Sequence, residues 1–240
     1  SLGFALDVPV IPVHHMEAHL LMAKYDAPQL KYPFLTLLVS GGHTILAKVE
    51  SSGVYKILGQ TIDDAVGEAF DKTAKLLGLR YPGGPEIEKN AVKGKKMKDS
   101  FPRPILKSED YNFSFSGLKT AVLYKVNSLK KKNEFTKQTI SDISLEFQEA
   151  AIDCLLYKTK KVLIDFNLDQ VVLSGGVAAN KQLRKRFNEE LGKKYTVIYP
   201  DFSHCTDNGA MIAFSGFEKF SSCDKENNIS VNPRWSLEEI

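Results

Sequence analysis

The sequence predicts an α/β protein, and three features carry that prediction. Phe34-Leu35-Thr36-Leu37-Leu38-Val39 is a continuous apolar run of strand length, as expected for a strand buried on both faces. Two further strand-like runs follow it at turn spacing. A second buried strand, Gln170 to Leu173, comes only after a long stretch of helical periodicity, and it leads directly into another helix.

Each element has a local reason. Residues 1–13 read as a helix end followed by a short buried strand, Val8 to Val13, interrupted by two prolines. Residues 14–27 form a helix that packs through Leu20, Leu21 and Ala23, and Pro28 and Pro33 bracket the next loop. The strand ending at Val39 empties into Ser40-Gly41-Gly42-His43. Thr44 to Val49 returns, and Ser52-Gly53 turns the chain into Val54 to Leu58. This is a three-stranded antiparallel meander with a Gly-Gly hairpin at its first corner. Asp63 or Asp64 is a good N-cap for a helix reaching Leu77, with Gly78 closing it. Tyr81-Pro82-Gly83-Gly84-Pro85 is a tight loop before a short helix from Glu86. Lys93 to Lys98 is a basic loop, and Asn112 to Leu118 leads into a helix ending at Lys130-Lys131-Lys132. A long amphipathic helix runs from Thr136 to about Asn167. Ser174 to Asn180 opens a helix to about Leu191. A strand at Thr196 to Tyr199 precedes a last helix, Asn208 to Phe220, and the tail to Ile240 is loop-like.

Composition excludes several classes. Hydrophobic content of 43% and charged content of 25% are ordinary for a soluble globular protein. A net charge of +3 gives no global basic field. Cys154, Cys205 and Cys223 show neither disulfide nor zinc spacing, which suits a reducing, cytoplasmic compartment. No apolar run reaches membrane-spanning length and no signal peptide is visible. The chain reads as entering in the middle of an element at Ser1, as a fragment or trimmed chain would.

Candidate chemistry begins at His14-His15-Met16-Glu17-Ala18-His19. His15 and His19 are four apart, so a helix stacks both imidazoles on one face. They are either ordinary packing residues or two ligands of one transition-metal ion that needs a third. Asp207, in Cys205-Thr206-Asp207-Asn208-Gly209, is the candidate third ligand. Glu17 lies about 200° around the helix from His15. It is therefore not the general base of an H-E-x-x-H protease. His14 is read as a hydrogen-bonded neighbour.

Two strands empty into the same tripeptide, Ser40-Gly41-Gly42 and Ser174-Gly175-Gly176. Glycines there let backbone N–H groups approach an anion or nucleotide, although glycine pairs are also common in plain turns. Neither matches the Walker pattern. Asp64, Gly67, Glu68 and Asp71 share one helical face, read here as a solvated acidic stripe. Three basic clusters, 93–98, 130–132 and 181–186, are either solvated faces or phosphate contacts.

Taken in order, seven motifs make a specific combination. They are HHMEAH (14–19), LVSGGHT (38–44), IDDAVGEAFDK (62–72), YPGGP (81–85), FSFSGLKT (113–120), SGGVAAN (174–180) and CTDNGAMIA (205–213). Together they closely resemble the bacterial and mitochondrial TsaD family, the tRNA N6-adenosine threonylcarbamoyltransferases, once called glycoproteases or O-sialoglycoprotein endopeptidases. The resemblance implies an actin/Hsp70-like (ASKHA) fold of two ribonuclease-H-like lobes. Residues 1–32 and 207–240 would belong to an incomplete first lobe and 33–206 to the second. The family's first strand and phosphate loop have no counterpart in this sequence.

The resemblance also implies transfer of a threonylcarbamoyl group from threonylcarbamoyl-AMP to N6 of the adenosine at tRNA position 37. His15, His19 and Asp207 would hold one divalent metal, Fe(II) by resemblance, with Zn(II) also suited to such ligands. Leu38, Val39, Ser40, Gly41 and Gly42 would line the substrate cleft, with Asp71, Gly84, Glu88 and Asn180 around the adenylate. TsaB-like and TsaE-like proteins would be partners, and the location cytoplasmic, or mitochondrial in a eukaryote. The alternatives are a metal-dependent glycoprotease and a non-catalytic nucleotide-binding scaffold of the same fold.

Overall fold

A computed structural model of the chain describes residues 2–205, 207–220, 231–232 and 235–240. Part of the expected tail, with Cys223 in it, lies outside the described residues, as does Thr206. The helices are α1 (Leu2–Leu6), α2 (His15–Asp26), α3 (Val66–Leu76), α4 (Gly83–Ala91), α5 (Ser116–Lys131), α6 (Lys137–Asp165), α7 (Lys181–Glu190) and α8 (Gly209–Lys219). The strands are β1 (Phe34–Val39), β2 (Thr44–Ser51), β3 (Val54–Gln60), β4 (Gln170–Ser174) and β5 (Thr196–Ile198).

They form one five-stranded sheet in the order β3-β2-β1-β4-β5. The meander pairs antiparallel, with Leu37 opposite Leu46. β4 joins β1 in parallel, Leu38 beside Ser174, and β5 joins β4 in parallel. β1 is therefore central, and every one of its residues is buried. Its period-2 alternation feeds two cores. Leu35, Leu37 and Val39 face Phe70, Phe147 and Leu155 of the α3–α6 layer. Phe34 and Leu38 face Leu20 and Ala23 of α2 on the other side. The expected packing residues Leu20, Leu21 and Ala23 are fully buried.

Five local expectations are corrected. Residues 8–13 form no strand, and Val8 and Val10 are 45% and 42% exposed. Pro9 and Pro12 cannot donate to a ladder, and no described strand lies beside them. α3 begins at Val66 behind Ala65, not at Asp63 or Asp64. Both carboxylates are committed elsewhere. Asp63 takes the Phe115 N–H and the Ser114 and Ser116 hydroxyls, and Asp64 pairs with Lys72 and Lys119. With Glu68 also on Lys72, the acidic stripe is thus a set of structural ties rather than a solvated face. α4 starts at Gly83, three residues before the expected Glu86. Finally, Ser174-Gly175-Gly176 does not open a helix directly. A 3-10 turn at Gly176–Ala179 intervenes, and Asn180 caps α7.

Candidate metal centre and nucleotide cavity

The sheet positions the site. β1 and β4 are adjacent parallel strands, so their two Ser-Gly-Gly segments leave the same edge of the sheet, at the carboxyl ends of the strands. That edge is where open α/β sheets bind ligands. Close approach explains the glycines. Gly175 has φ +87°, and a Cβ there would lie 2.5 Å from the Val39 carbonyl oxygen. Gly67, in the first turn of α3, donates to the Ser40 carbonyl at 3.2 Å. A Cβ on it would meet that oxygen at 2.5 Å. The Ser40 hydroxyl accepts from the N–H groups of Gly42 and His43, which fixes the hairpin.

Beside this edge lies a cavity of about 350 Å³, lined by Gly41, Gly67, Phe70, Asp71, the 81–85 loop, Glu88 and the Gly176–Asn180 turn. Five of the expected substrate residues, Gly41, Asp71, Gly84, Glu88 and Asn180, line it. Each polar one is also tied to the framework. Asp71 accepts from Gly83 N–H at 2.7 Å, Glu88 from Lys181 N–H at 2.6 Å, and Asn180 donates to Gln148 while accepting from Leu183. Leu38 and Val39 are fully buried in β1, so their side chains belong to the two cores. Ser40 and Gly42 sit in the hairpin beside Gly41. Phe70, Tyr81 and Val177 were not expected from the sequence. An aromatic or aliphatic residue near a glycine loop carries no signal until the fold turns it toward the cavity.

The second centre is built by α2 and α8. His14 caps α2: its Nδ1 accepts from Met16 and Glu17, and its Nε2 reaches the Trp235 carbonyl at 2.7 Å. It is thereby occupied, as expected of a neighbour rather than a ligand. His15 and His19 stack one turn apart, with ring centroids 4.9 Å from each other. Asp207 lies just before α8, and its Oδ1 is 2.9 Å from His19 Nε2 and 3.4 Å from His15 Nε2. Ligand atoms of the three residues all lie within 4.8 Å of one another. Glu17 points away, fully buried, taking the Tyr55 hydroxyl at 2.8 Å and Lys219 Nζ at 2.5 Å.

Electrostatics suit this donor set to a cation. Burial lowers the His19 pKa despite its bond to Asp207, and His15 and His43 lower it further, which favours the neutral ring that metal ligation needs. Asp207 brings the negative charge, and its side chain is 76% exposed, leaving an open side. Two imidazoles and one carboxylate around an open position fit one divalent transition metal. His43 is a further residue that sequence reasoning passed over. Burial and the charge of His15 lower its pKa. The hairpin 40–43 thus links the two centres, with Gly41 lining the cavity and His43 interacting electrostatically with His15 and His19.

Of the basic clusters, 181–186 is largely consumed internally. Arg186 pairs with Glu149, Asp153 and Glu190, and Arg184 donates to the Ala178 carbonyl and stacks on Phe202. Lys93, Lys95, Lys96 and Lys98 remain exposed, as do Lys130, Lys131 and Lys132.

A family model described as TsaD, tRNA N6-adenosine threonylcarbamoyltransferase, matches residues 1–214. The tRNA N6-adenosine threonylcarbamoyltransferase of Nitrosospira multiformis is 49% identical over 247 residues, which cover 99% of this chain and 70% of that protein. Its counterpart from Chromobacterium violaceum is 47% identical over 242 residues, covering 100% and 71%. Among solved structures, full-length HypF in its phosphate- and nucleotide-bound form superposes with a TM-score of 0.69 at 16% identity, over 93% of this chain and 45% of that one. Component A of the (R)-2-hydroxyglutaryl-CoA dehydratase of Acidaminococcus fermentans gives 0.51 at 17% identity, over 85% and 64%. The structural likenesses speak to fold alone, and the fold is the expected actin/Hsp70-like α/β class. No helix among the described residues is long and apolar enough to cross a membrane.

Proposed function

The chain belongs to the TsaD family of tRNA N6-adenosine threonylcarbamoyltransferases, and from that premise we propose that it moves a threonylcarbamoyl group from threonylcarbamoyl-AMP to N6 of the adenosine at tRNA position 37. The attacking N6 forms a bond to the carbamoyl carbon and gives up a proton. The bond from that carbon to the phosphate oxygen breaks, and AMP leaves with the electron pair. No oxidant or reductant is consumed.

One observation carries this reading. One four-residue hairpin links a nucleotide-sized cavity, which Gly41 lines, to a two-imidazole, one-carboxylate cluster, whose His15 and His19 interact electrostatically with His43. In this proposal the adenylate lies against Gly41 and the Gly176–Asn180 turn, whose backbone N–H groups hold its phosphate. Asp71 and Glu88 each keep one carboxylate oxygen for the ribose hydroxyls, the other being bonded to the backbone. His15, His19 and Asp207 would hold the metal, Fe(II) or Zn(II), which when bound supplies Lewis-acid polarisation of a substrate oxygen. His43, on the hairpin, would face the reacting carbonyl. Residues 1–32 and 207–240 act as the portion of a first lobe that carries the cluster. Partners resembling TsaB and TsaE and a cytoplasmic location belong to the same proposal. Glu17 is locked into a buried ion pair on the far side of α2, which removes the zincin base that the protease alternative needs.

The test supplies threonylcarbamoyl-AMP and unmodified tRNA, with and without TsaB-like and TsaE-like proteins, and reads the modified nucleoside by mass spectrometry. Modified adenosine with the wild type, lost together with bound metal in His15→Ala/His19→Ala, is the expected result. Glycoprotein cleavage that requires the metal, with no RNA product, would overturn it.

A further inference from the structure

A second concavity of about 270 Å³ adjoins the nucleotide cavity, lined by Asp71, Lys72, Lys75, Leu79, Arg80 and Tyr81. Asp71 and Tyr81 line both, so the two share a wall. The loop carrying Tyr81 is pinned from below. Asp71 binds the Gly83 N–H, and Gly83 is packed so tightly that a Cβ would come within 2.6 Å of the Ala74 methyl. Yet Tyr81 itself is 84% exposed. A large aromatic ring held into solvent on a fixed loop gains nothing from the core. It is a preorganised flat surface at the mouth of a nucleotide site.

Apart from Asp71, which is bonded to the Gly83 N–H, the charges around it are cations. Lys72 is engaged by Asp64 and Glu68. Lys75 and Arg80 are exposed and have no carboxylate partner among the described residues. Neither belongs to the three basic runs visible in the sequence, because one lies in the last turn of α3 and the other in the loop after it. An exposed aromatic flanked by unpaired cations is the composition of a platform for single-stranded nucleic acid: the ring stacks on a base and the cations hold its phosphates. Arginine and lysine alone would suggest any anion. The aromatic ring lining the same concavity and the adjoining cavity narrow the choice to an unpaired nucleotide in a chain.

We propose that Tyr81, Lys75 and Arg80 form the docking surface for the acceptor RNA, with Tyr81 stacking on an unpaired base of its anticodon loop and the two cations holding the neighbouring phosphates. This rests on the reading that the acceptor is tRNA. It adds the direction of approach: the RNA strand passes over the 81–85 loop, with the accepting base delivered across the wall shared by the two cavities.

The test measures binding of an anticodon stem-loop RNA to the chain by fluorescence anisotropy between 50 and 200 mM salt, and AMP binding by calorimetry in parallel. All three side chains are exposed, so the variants should fold; a melting curve checks this. Lys75→Glu/Arg80→Glu should weaken RNA binding at least tenfold. In Lys75→Ala/Arg80→Ala the salt slope should become shallower by about 1.4, the value for two single-strand phosphate contacts. Tyr81→Ala should weaken binding by roughly 5- to 150-fold, the span for one base–aromatic stack, and Tyr81→Phe should retain it. AMP affinity should hold within about twofold in the Lys75 and Arg80 variants, neither of which lines the nucleotide cavity. Wild-type binding that none of these variants reduces would overturn this proposal alone. A Tyr81→Ala variant that loses AMP but keeps RNA would place the ring on the donor side and also overturn it. A wild type that binds no RNA at all would instead remove the parent reading.

Discussion

Replacing Lys219 by methionine should be among the more costly single changes in this chain, although Lys219 touches neither cavity. Glu17 is fully buried, and Lys219 Nζ sits 2.5 Å from its Oε2. The Tyr55 hydroxyl also donates to that carboxylate, at 2.8 Å. Burial first, and then Glu17, push the Tyr55 hydroxyl well above its ordinary pKa, so it stays a donor. Methionine keeps the volume and removes the charge, leaving the buried carboxylate without its cation. Breaking a buried pair from one side costs about 3–5 kcal/mol. Changing both partners, Glu17→Gln with Lys219→Met, should recover most of that, because no unpaired charge remains. Lys48–Glu50, an ion pair of 2.9 Å on β2 with a half-exposed carboxylate, is the control, and its loss should cost about 0–1 kcal/mol. Urea unfolding of the four proteins gives the numbers. The pair joins α2, which carries His15 and His19, to α8, which follows Asp207, so metal retention should fall with stability. A Lys219→Met variant within about 1 kcal/mol of wild type, or a double variant no better than the single one, would refute this account.

Other outcomes follow from the same geometry. Gly83→Ala places a methyl against Ala74, Asp71 and the Phe70 carbonyl, and should lower stability by about 1–3 kcal/mol and weaken AMP binding, read by melting and calorimetry. His19→Ala should lose most of the bound divalent metal after dialysis, measured by elemental analysis, with the fold intact by circular dichroism. Burial raises the Asp64 pKa but is outweighed by Lys119 and Lys72, which leave it below its ordinary value. Its stabilising effect is therefore present above about pH 3.9 and is lost as pH falls through the lowered folded value. Asp64→Asn should be less stable at neutral pH and show a shallower acid limb in pH-dependent unfolding. Burial pushes the Cys154 thiol up to about 12, so it should resist iodoacetamide at pH 8 until the chain is unfolded.

Much of this protein could be read from residue order. An unbroken apolar hexamer can only be a strand covered on both faces, so β1 and its central place were legible. So were the meander after it, and the helical spacing that stacks His15 on His19. These depend on contacts within a few residues or on periodicity, which the chain carries in itself. The strand expected at 8–13 was absent because pairing needs a neighbour, which no local pattern supplies. Asp63 and Asp64 looked like caps because cap chemistry is local; besides Lys72, their partners Ser114, Ser116 and Lys119 lie more than fifty residues away. Arg184 and Arg186 looked like free cations until α6 brought Glu149 and Asp153 beside Arg186 and the 3-10 turn brought the Ala178 carbonyl to Arg184. The meeting of Asp207 with His19, 188 residues earlier, and the exposure of Tyr81 beside Lys75 and Arg80 in one concavity were likewise settled only in three dimensions. Sequence fixes which groups a chain owns and how nearby ones are spaced. Which of them are spent on each other, and which are left facing a cavity, depends on where distant segments pack.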